Sequence, residues 1–304
     1  MHAPPELPPW ADRLLRGAGP QTPAQERGAH LLRVVAADDA LLGLAAADIP
    51  ALLVKGAALA RTHYSPPWLR PMCDIDVLVP RAFAGTAGNK LSAMGWHRHE
   101  LESRPLTGPC LGESMWLCER VGASLMLEVH THLDKLIPRA VDVAAIFHRA
   151  RPLENGSRFR VPSDEDHALL VVQHAAGHGF RHAPAWVDLH LILSEVCTDW
   201  DALLQRAQSW GLSAALHVML RGLRNAGSLA APDSLLGKIA PSRAQALALR
   251  AILGVPSPLE VPRVVPAVTL QKLVELGVAR DDFPRWARGL AGYGARRLAE
   301  RCWW

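Results

Sequence analysis

The segment Asp74-Ile-Asp-Val-Leu-Val79 alternates carboxylates with apolar residues and is stopped by Pro80. In a strand, residues two apart point to one face, so Asp74 and Asp76 project together while Ile75, Val77 and Val79 fill the opposite, core side. Two carboxylates held side by side raise the cost of ionising both. A divalent cation between them is the usual relief, and hard oxygen ligands suit magnesium. The stretch Leu125-Met-Leu-Glu-Val-His130 repeats the pattern, with Glu128 and His130 on one face and Leu125, Leu127 and Val129 on the other. Glu128 is therefore a candidate third carboxylate. Upstream, Lys55-Gly56 lies between the apolar run Ala51-Leu-Leu-Val54 and the helix former Ala57-Ala-Leu-Ala-Arg61. A strand feeding a helix through a glycine turn presents free backbone N–H groups and a positive dipole end to a phosphate, and Gly56 lets a ligand approach the backbone.

The elements that must position these residues read as mixed α/β in the first half. A long amphipathic helix is predicted over Pro23 to Ala47, then a strand at Ala51–Val54, a helix from Ala57, and a strand at Asp74–Val79. A helix near Ala82 to Met94 follows, with strands at Trp96–Leu101, Ser114–Val121 and Leu125–His130, the last two joined by a Gly122-Ala123 turn. The second half is almost wholly helical. Ser163 with Asp166 resembles a capping box opening a helix towards Gly177, and further helices are predicted at Trp186–Cys197, Trp200–Trp210, Ala214–Asn225, Arg243–Leu253, Val268–Leu276 and Phe283–Arg301. Pro152, Asn155, Gly156 and Pro162 mark a boundary between the halves.

Composition bounds the function classes. The chain has 304 residues, 49% hydrophobic and 20% charged, which excludes a largely disordered protein. No apolar run approaches the roughly 18 residues of a membrane span. A net charge of +4 is too thin to imply nucleic-acid binding. Five cysteines with no C-x-x-C pair suggest neither a disulfide framework nor a zinc ribbon. The proline-rich start, Met1 to Gly19, lacks the apolar core of a secretory signal, so a cytoplasmic location is expected. The chain has only five lysines, which makes the place of Lys55 more informative.

A glycine turn before a helix, a D-x-D strand eighteen residues on and a later single carboxylate resemble the nucleotidyltransferase fold of the DNA polymerase β superfamily. More narrowly, Leu52-Leu-Val-Lys-Gly-Ala-Ala-Leu-Ala60, Tyr64, Arg70 and Asp74-Ile-Asp-Val-Leu-Val79 are similar to a bacterial nucleotidyltransferase family with a K-G…R…D-I-D-L-L-V signature. Glu128-Val-His130, His174, His178 and Trp186-Val-Asp188 fit the layout of that family, and the resemblance runs from about Ala51 to Leu193. It implies Mg2+- or Mn2+-dependent transfer of a nucleoside monophosphate from an NTP to an acceptor, with Asp74, Asp76 and Glu128 as metal ligands. In the wider superfamily Ser or Gly follows the glycine, whereas here Ala57 has no hydroxyl. Lys55 and Arg70 are then the candidates for the missing positive charge. Gly56, Ala57, His130, His174 and His178 complete the expected nucleotide-binding set, and Asp188 is a candidate base from the helical region.

Other features have blander explanations. His167, His174 and His178 share a helical face, but H-x-x-x-H without the supporting glutamate of H-E-x-x-H reads as hydrogen bonding within the core or between domains rather than zinc. Arg285, Arg288, Arg296, Arg297 and Arg301, with Trp286, Tyr293, Trp303 and Trp304, could suit a nucleic-acid or peptide partner. A solvated helix face with cations near its C-terminus is the preferred reading. The expectation is an α/β enzyme with an N-terminal helical segment at 1–50, a nucleotidyltransferase-like domain with a mixed sheet at 51–155 and an α-helical domain at 156–304. A small metabolite, a peptide natural product and a protein all stand open as acceptor. A nucleotide-sugar donor and a non-catalytic nucleotide-binding partner are the alternatives.

Overall fold

Alternation along two strands sets the centre of the molecule. In the computed structural model β1 (Leu52–Val54) pairs antiparallel with β2 (Ile75–Leu78), and β2 pairs parallel with β5 (Ala123–His130). Ile75, Val77, Val79, Leu125, Leu127 and Val129 all enter one apolar cluster. Onto this face α1 (Pro23–Ala45) lays Ala36, Ala37, Ala40, Leu41 and Leu44. Ala87 and Leu91, from the later helix Ala84–Ala93, and Trp96 close the same core. The small alanines let the helix come close to the sheet. The opposite parity puts Asp76 beside Glu128 and Leu78 beside His130. As the sequence predicts, Asp76, Glu128 and His130 lie on the parity opposite Ile75, Val77, Leu127 and Val129.

The structure describes residues 7–11, 15, 23–99, 112–132, 134, 139–154, 156–195, 199–229, 231–254, 256–259, 277 and 279–302. They divide between two compact units, Pro20–Ser163 with Gly289–Trp304, and Met1–Gly19 with Asp164–Arg288. The first holds a seven-stranded mixed sheet. With β3 (His97–Arg98), β4 (Glu113–Arg120), β6 (Arg151–Pro152) and β7 (Arg160–Val161), its order is β3-β4-β5-β2-β1-β7-β6. The helices of this unit include α2 (Lys55–Thr62), α3 (Ala84–Ala93) and α4 (Val143–Arg149). Among the described residues the second unit includes the helices α5 (Asp164–Gly177), α6 (Ala183–Glu195), α7 (Trp200–Ser209), α8 (Ser213–Asn225), α9 (Asp233–Lys238) and α10 (Arg243–Leu253). The helix α11 (Phe283–Cys302) follows. This is the predicted α/β class with a helical C-terminal region. Among the described residues, no helix is long and apolar enough to cross a membrane.

Three local expectations are corrected. The joint between β1 and α2 is not a glycine turn: α2 begins at Lys55, and Lys55 itself takes the left-handed conformation, at φ 50°. Gly56 is already helical, so one residue makes the reversal. The hairpin between β4 and β5 turns at Val121-Gly122, both with positive φ, and not at Gly122-Ala123. Two consecutive left-handed residues form the tight turn whose twist matches the flanking strands. The sequence reading also misses α4, α9, β6 and β7. The two strands have two residues each, too short for alternation to show, and α4 is signalled only by Asp142, whose carboxylate accepts the Ala145 N–H at 3.0 Å. The predicted helix at 268–276 and the residues Trp303 and Trp304 lie outside the described residues.

Within the helical unit, polar side chains hold the helix ends. Asp199 caps α7, and the Asp281 carboxylate accepts the N–H groups of Ser213 and Ala214 at the start of α8. Asp166, fully buried in the first turn of α5, accepts from Arg206 Nη1 at 3.1 Å. Trp286 is buried and packs against Gly277, where a Cβ would collide with its ring.

Because Leu127 backs the two carboxylate strands with no exposure, Leu127→Ala should cost about 2–5 kcal/mol through lost burial and a residual cavity. Urea denaturation checks this, and a loss under about 1 kcal/mol would show that the core does not rest on that face.

Candidate functional site

Four side chains from three elements meet at the central strands of the sheet. β2 supplies Asp76, β5 supplies Glu128 and His130, and the first residue of α2 supplies Lys55. Asp76 and Glu128 are direct neighbours on the parallel strands. Lys55 Nζ donates to Asp76 Oδ1 at 2.6 Å and lies 3.2 Å from His130 Nε2. That imidazole nitrogen is 2.7 Å from the same Asp76 oxygen and 3.4 Å from Glu128 Oε2. Asp76, Glu128 and His130 are all buried.

Burial alone would push these carboxyls up and the bases down. For Asp76, desolvation is outweighed by the Lys55 charge and the hydrogen bond from His130, which hold it well below the usual carboxylate range. Glu128 is also held below its ordinary value: burial raises it most, but the hydrogen bond from His130 and the charges of His130 and Lys55 together prevail. Lys55 and His130 are both raised: burial opposes their charge, and the neighbouring carboxylates prevail. Asp74 differs. It stands just before β2, and burial, followed by repulsion from Asp76 and Glu128, pushes its carboxyl up to about 6 despite Lys55 and Arg70. The site thus holds two firmly ionised carboxylates and a third that titrates near neutrality.

The donor set fits a divalent cation. Asp76, Glu128 and His130 each offer one ligand atom, all within 4.8 Å of one another, and this is such a group among the described residues. Two hard oxygens with one imidazole nitrogen suit Mn2+ as well as Mg2+. The sequence places Asp74 with Asp76 and Glu128 as the ligands, whereas the tight group contains His130 in that place. Asp74 remains close enough for its ionisation to respond to both acids. His130 Nδ1 faces Glu113 Oε2 at 3.5 Å, the kind of outer carboxylate that orients a ligating imidazole.

The phosphate candidates are placed as follows. Arg70 is buried, donates to the Pro71 carbonyl, and lays its guanidinium on Gly56, where a Cβ would stand 3.5–3.6 Å away. That is ordinary contact, so packing does not require glycine at 56. Ala57 is buried in the first turn of α2, which has no side-chain cap. His174, His178 and Asp188 belong to the helical unit. The rings of His174, His178 and His182 gather with centroids 4.5–5.5 Å apart, and Asp188 is buried on α6.

Sequence reasoning missed Glu113 and His182. A signal for Glu113 exists: with Val121-Gly122 as the turn, Arg120 faces Ala123, and counting back along β4 brings Glu113 opposite His130. Placing the turn one residue later shifts that register by two and hides the pair.

Residues 24–225 match the family described as "Uncharacterised nucleotidyltransferase". Since the match covers most of the chain, the protein belongs to that nucleotidyltransferase family. No curated protein and no solved structure gives a significant match.

The titration of Asp74 has a measurable consequence without metal. Its folded value near 6 exceeds the roughly 3.9 of an unfolded Asp, so its contribution to stability is full below about pH 4 and is lost as pH rises through about 6. Asp74→Asn mimics the protonated form. In EDTA it should melt higher than wild type at pH 8 and nearly equal to it at pH 4. An equal difference at both pH values by differential scanning fluorimetry would contradict the raised carboxyl.

Proposed function

We propose that the sheet unit transfers a nucleoside monophosphate from an NTP to an acceptor hydroxyl or amine, releasing pyrophosphate. The carrying observation is the register of Asp76 beside Glu128 on adjacent parallel strands, with Lys55 at the head of α2 pointing into them. Family membership supports the reaction class. Asp76, Glu128 and His130 would hold a divalent cation, with Asp74 beside them. When bound, the cation supplies charge neutralisation on the triphosphate and polarises the α-phosphoryl group.

The remaining work falls to the chain itself. Lys55 and Arg70 supply positive charge to the phosphates, the first as a mobile point charge and the second as a planar fork. The uncapped start of α2 offers unsatisfied N–H groups beside them. A bond forms between the acceptor atom and the α-phosphorus while the bond to the bridging oxygen of the β-phosphate breaks. The proton of the acceptor must leave as that happens, and Glu128, beside Asp76 on the neighbouring strand, is the candidate to receive it. Ala57 offers no hydroxyl to a γ-phosphate, which favours a nucleotide-sugar as the second donor class to test.

The experiment is a screen of the four NTPs and common nucleotide-sugars with Mg2+ and Mn2+, scored by pyrophosphate or nucleoside-diphosphate release in a metabolite extract. Asp76→Asn should reduce turnover by about 100-fold or more while keeping the circular dichroism of wild type. Turnover within a few-fold of wild type would remove the metal-site assignment. Release of nucleoside diphosphate from a nucleotide-sugar, with no pyrophosphate from any NTP, would replace the donor class.

A further inference from the structure

We propose that Lys55 is an exchangeable resident cation: in the ligand-free protein its ammonium occupies the seat on Asp76, beside His130, that a divalent ion takes, and it leaves for the triphosphate when ion and nucleotide enter together. The inference rests on the nucleotidyl-transfer reading above and adds to it a rule for the order and coupling of ligand binding.

Geometry carries it. Nζ lies 2.6 Å from Asp76 Oδ1 and 3.2 Å from His130 Nε2. Asp76 and His130 are two of the three members of the ligand group. An ion bridging these residues would bring two positive centres to one carboxylate at contact distance, inside a buried cluster where their repulsion is weakly screened. Ammonium and divalent ion therefore exclude one another from this seat.

The side chain is also able to move. A lysine carries its charge on a flexible four-carbon stem, whereas an arginine would need its planar fork seated. Its backbone is fixed at the joint of β1 and α2, at φ 50°, so the stem swings from a stationary base. A non-glycine residue there is uncommon and is retained when the surrounding structure over-determines it. The ion pair with Asp76, on the strand paired with β1, is such a determinant. Beside that base lies the start of α2, with no side-chain cap and no acidic residue in its first turn. Its N–H groups and a displaced ammonium would share one anionic ligand.

A coupling follows. A divalent ion alone must evict Lys55 from its best partner and leave the ammonium uncompensated, so it binds weakly. A triphosphate alone meets the carboxylates. Bound together, each removes the obstacle to the other, and the linkage is reciprocal.

The test needs no nucleotide. Mn2+ is titrated by calorimetry into wild type, Lys55→Met and Lys55→Arg. Lys55→Met should bind Mn2+ at least about tenfold more tightly than wild type because the competitor is gone, while Lys55→Arg should not gain. Equal or weaker binding by folded Lys55→Met overturns the exchange. If that variant does not fold, wild-type protein with 13Cε-labelled lysine decides. With only five lysines in the chain, the resonance of Lys55 should shift on Mg2+ saturation and stay in place if the exchange is wrong. No Mn2+ binding by wild type or variant overturns both the exchange and the metal-dependent reading. Tighter binding by Lys55→Met with no turnover of any NTP supports the exchange and sinks the transfer reading alone.

Discussion

A carboxylate with 3% of its surface exposed, as Asp76 is, stays ionised only where fixed positive charge replaces the water it has lost. Here the replacement comes from Lys55 and His130, neither of which is close in sequence. The pairing therefore ties three elements to one point: the head of α2, the end of β5 and the middle of β2. The strands β2 and β5 are paired directly and α2 follows β1, itself paired with β2, so the backbones that carry these charges are held together. Removing one partner would leave the others buried and uncompensated, which is costlier than the pair itself is stabilising. Glu128 and Asp74 add negative charge that Lys55 and His130 do not fully offset. The uneven titration of the three acids, two held ionised and Asp74 raised to about 6, follows from burial first and then from that deficit.

Much of this is legible in the sequence because alternation is a local property. The pattern Asp-Ile-Asp-Val separates a polar from an apolar face wherever the strand sits, and Leu-Glu-Val-His does the same. What alternation cannot give is adjacency. Asp76 and Glu128 are neighbours because β2 and β5 pair in parallel, with β3 and β4 lying beyond them. The Lys55 contact with His130 spans 75 positions and is non-local in the same sense. The conformation at Lys55 was hidden for another reason: glycine is the residue that ordinarily signals a left-handed turn, and Gly56 stood beside the residue that makes it.

The helix macrodipole shows why a lysine can stand at that position. A positive side chain in the first turn is wrong-signed for an isolated helix, whose N-terminus attracts anions. By contrast, α5 opens with Asp164, Glu165 and Asp166. The helix α2 has no acid in its first turn and no side-chain cap, so its dipole and the charge of Lys55 add, and both must be answered from outside the helix. Across the joint stand Asp74, Asp76 and Glu128, which answer them through space. A helix that satisfied its own N-terminus would have no such demand, and its first turn would be inert to ligands. By leaving the demand to be met by side chains on other strands, the fold makes the head of α2 and the carboxylate cluster a single electrostatic unit. Any cation that draws the carboxylates away reopens the demand at the helix, and an anion with several charged oxygens is the ligand able to meet it.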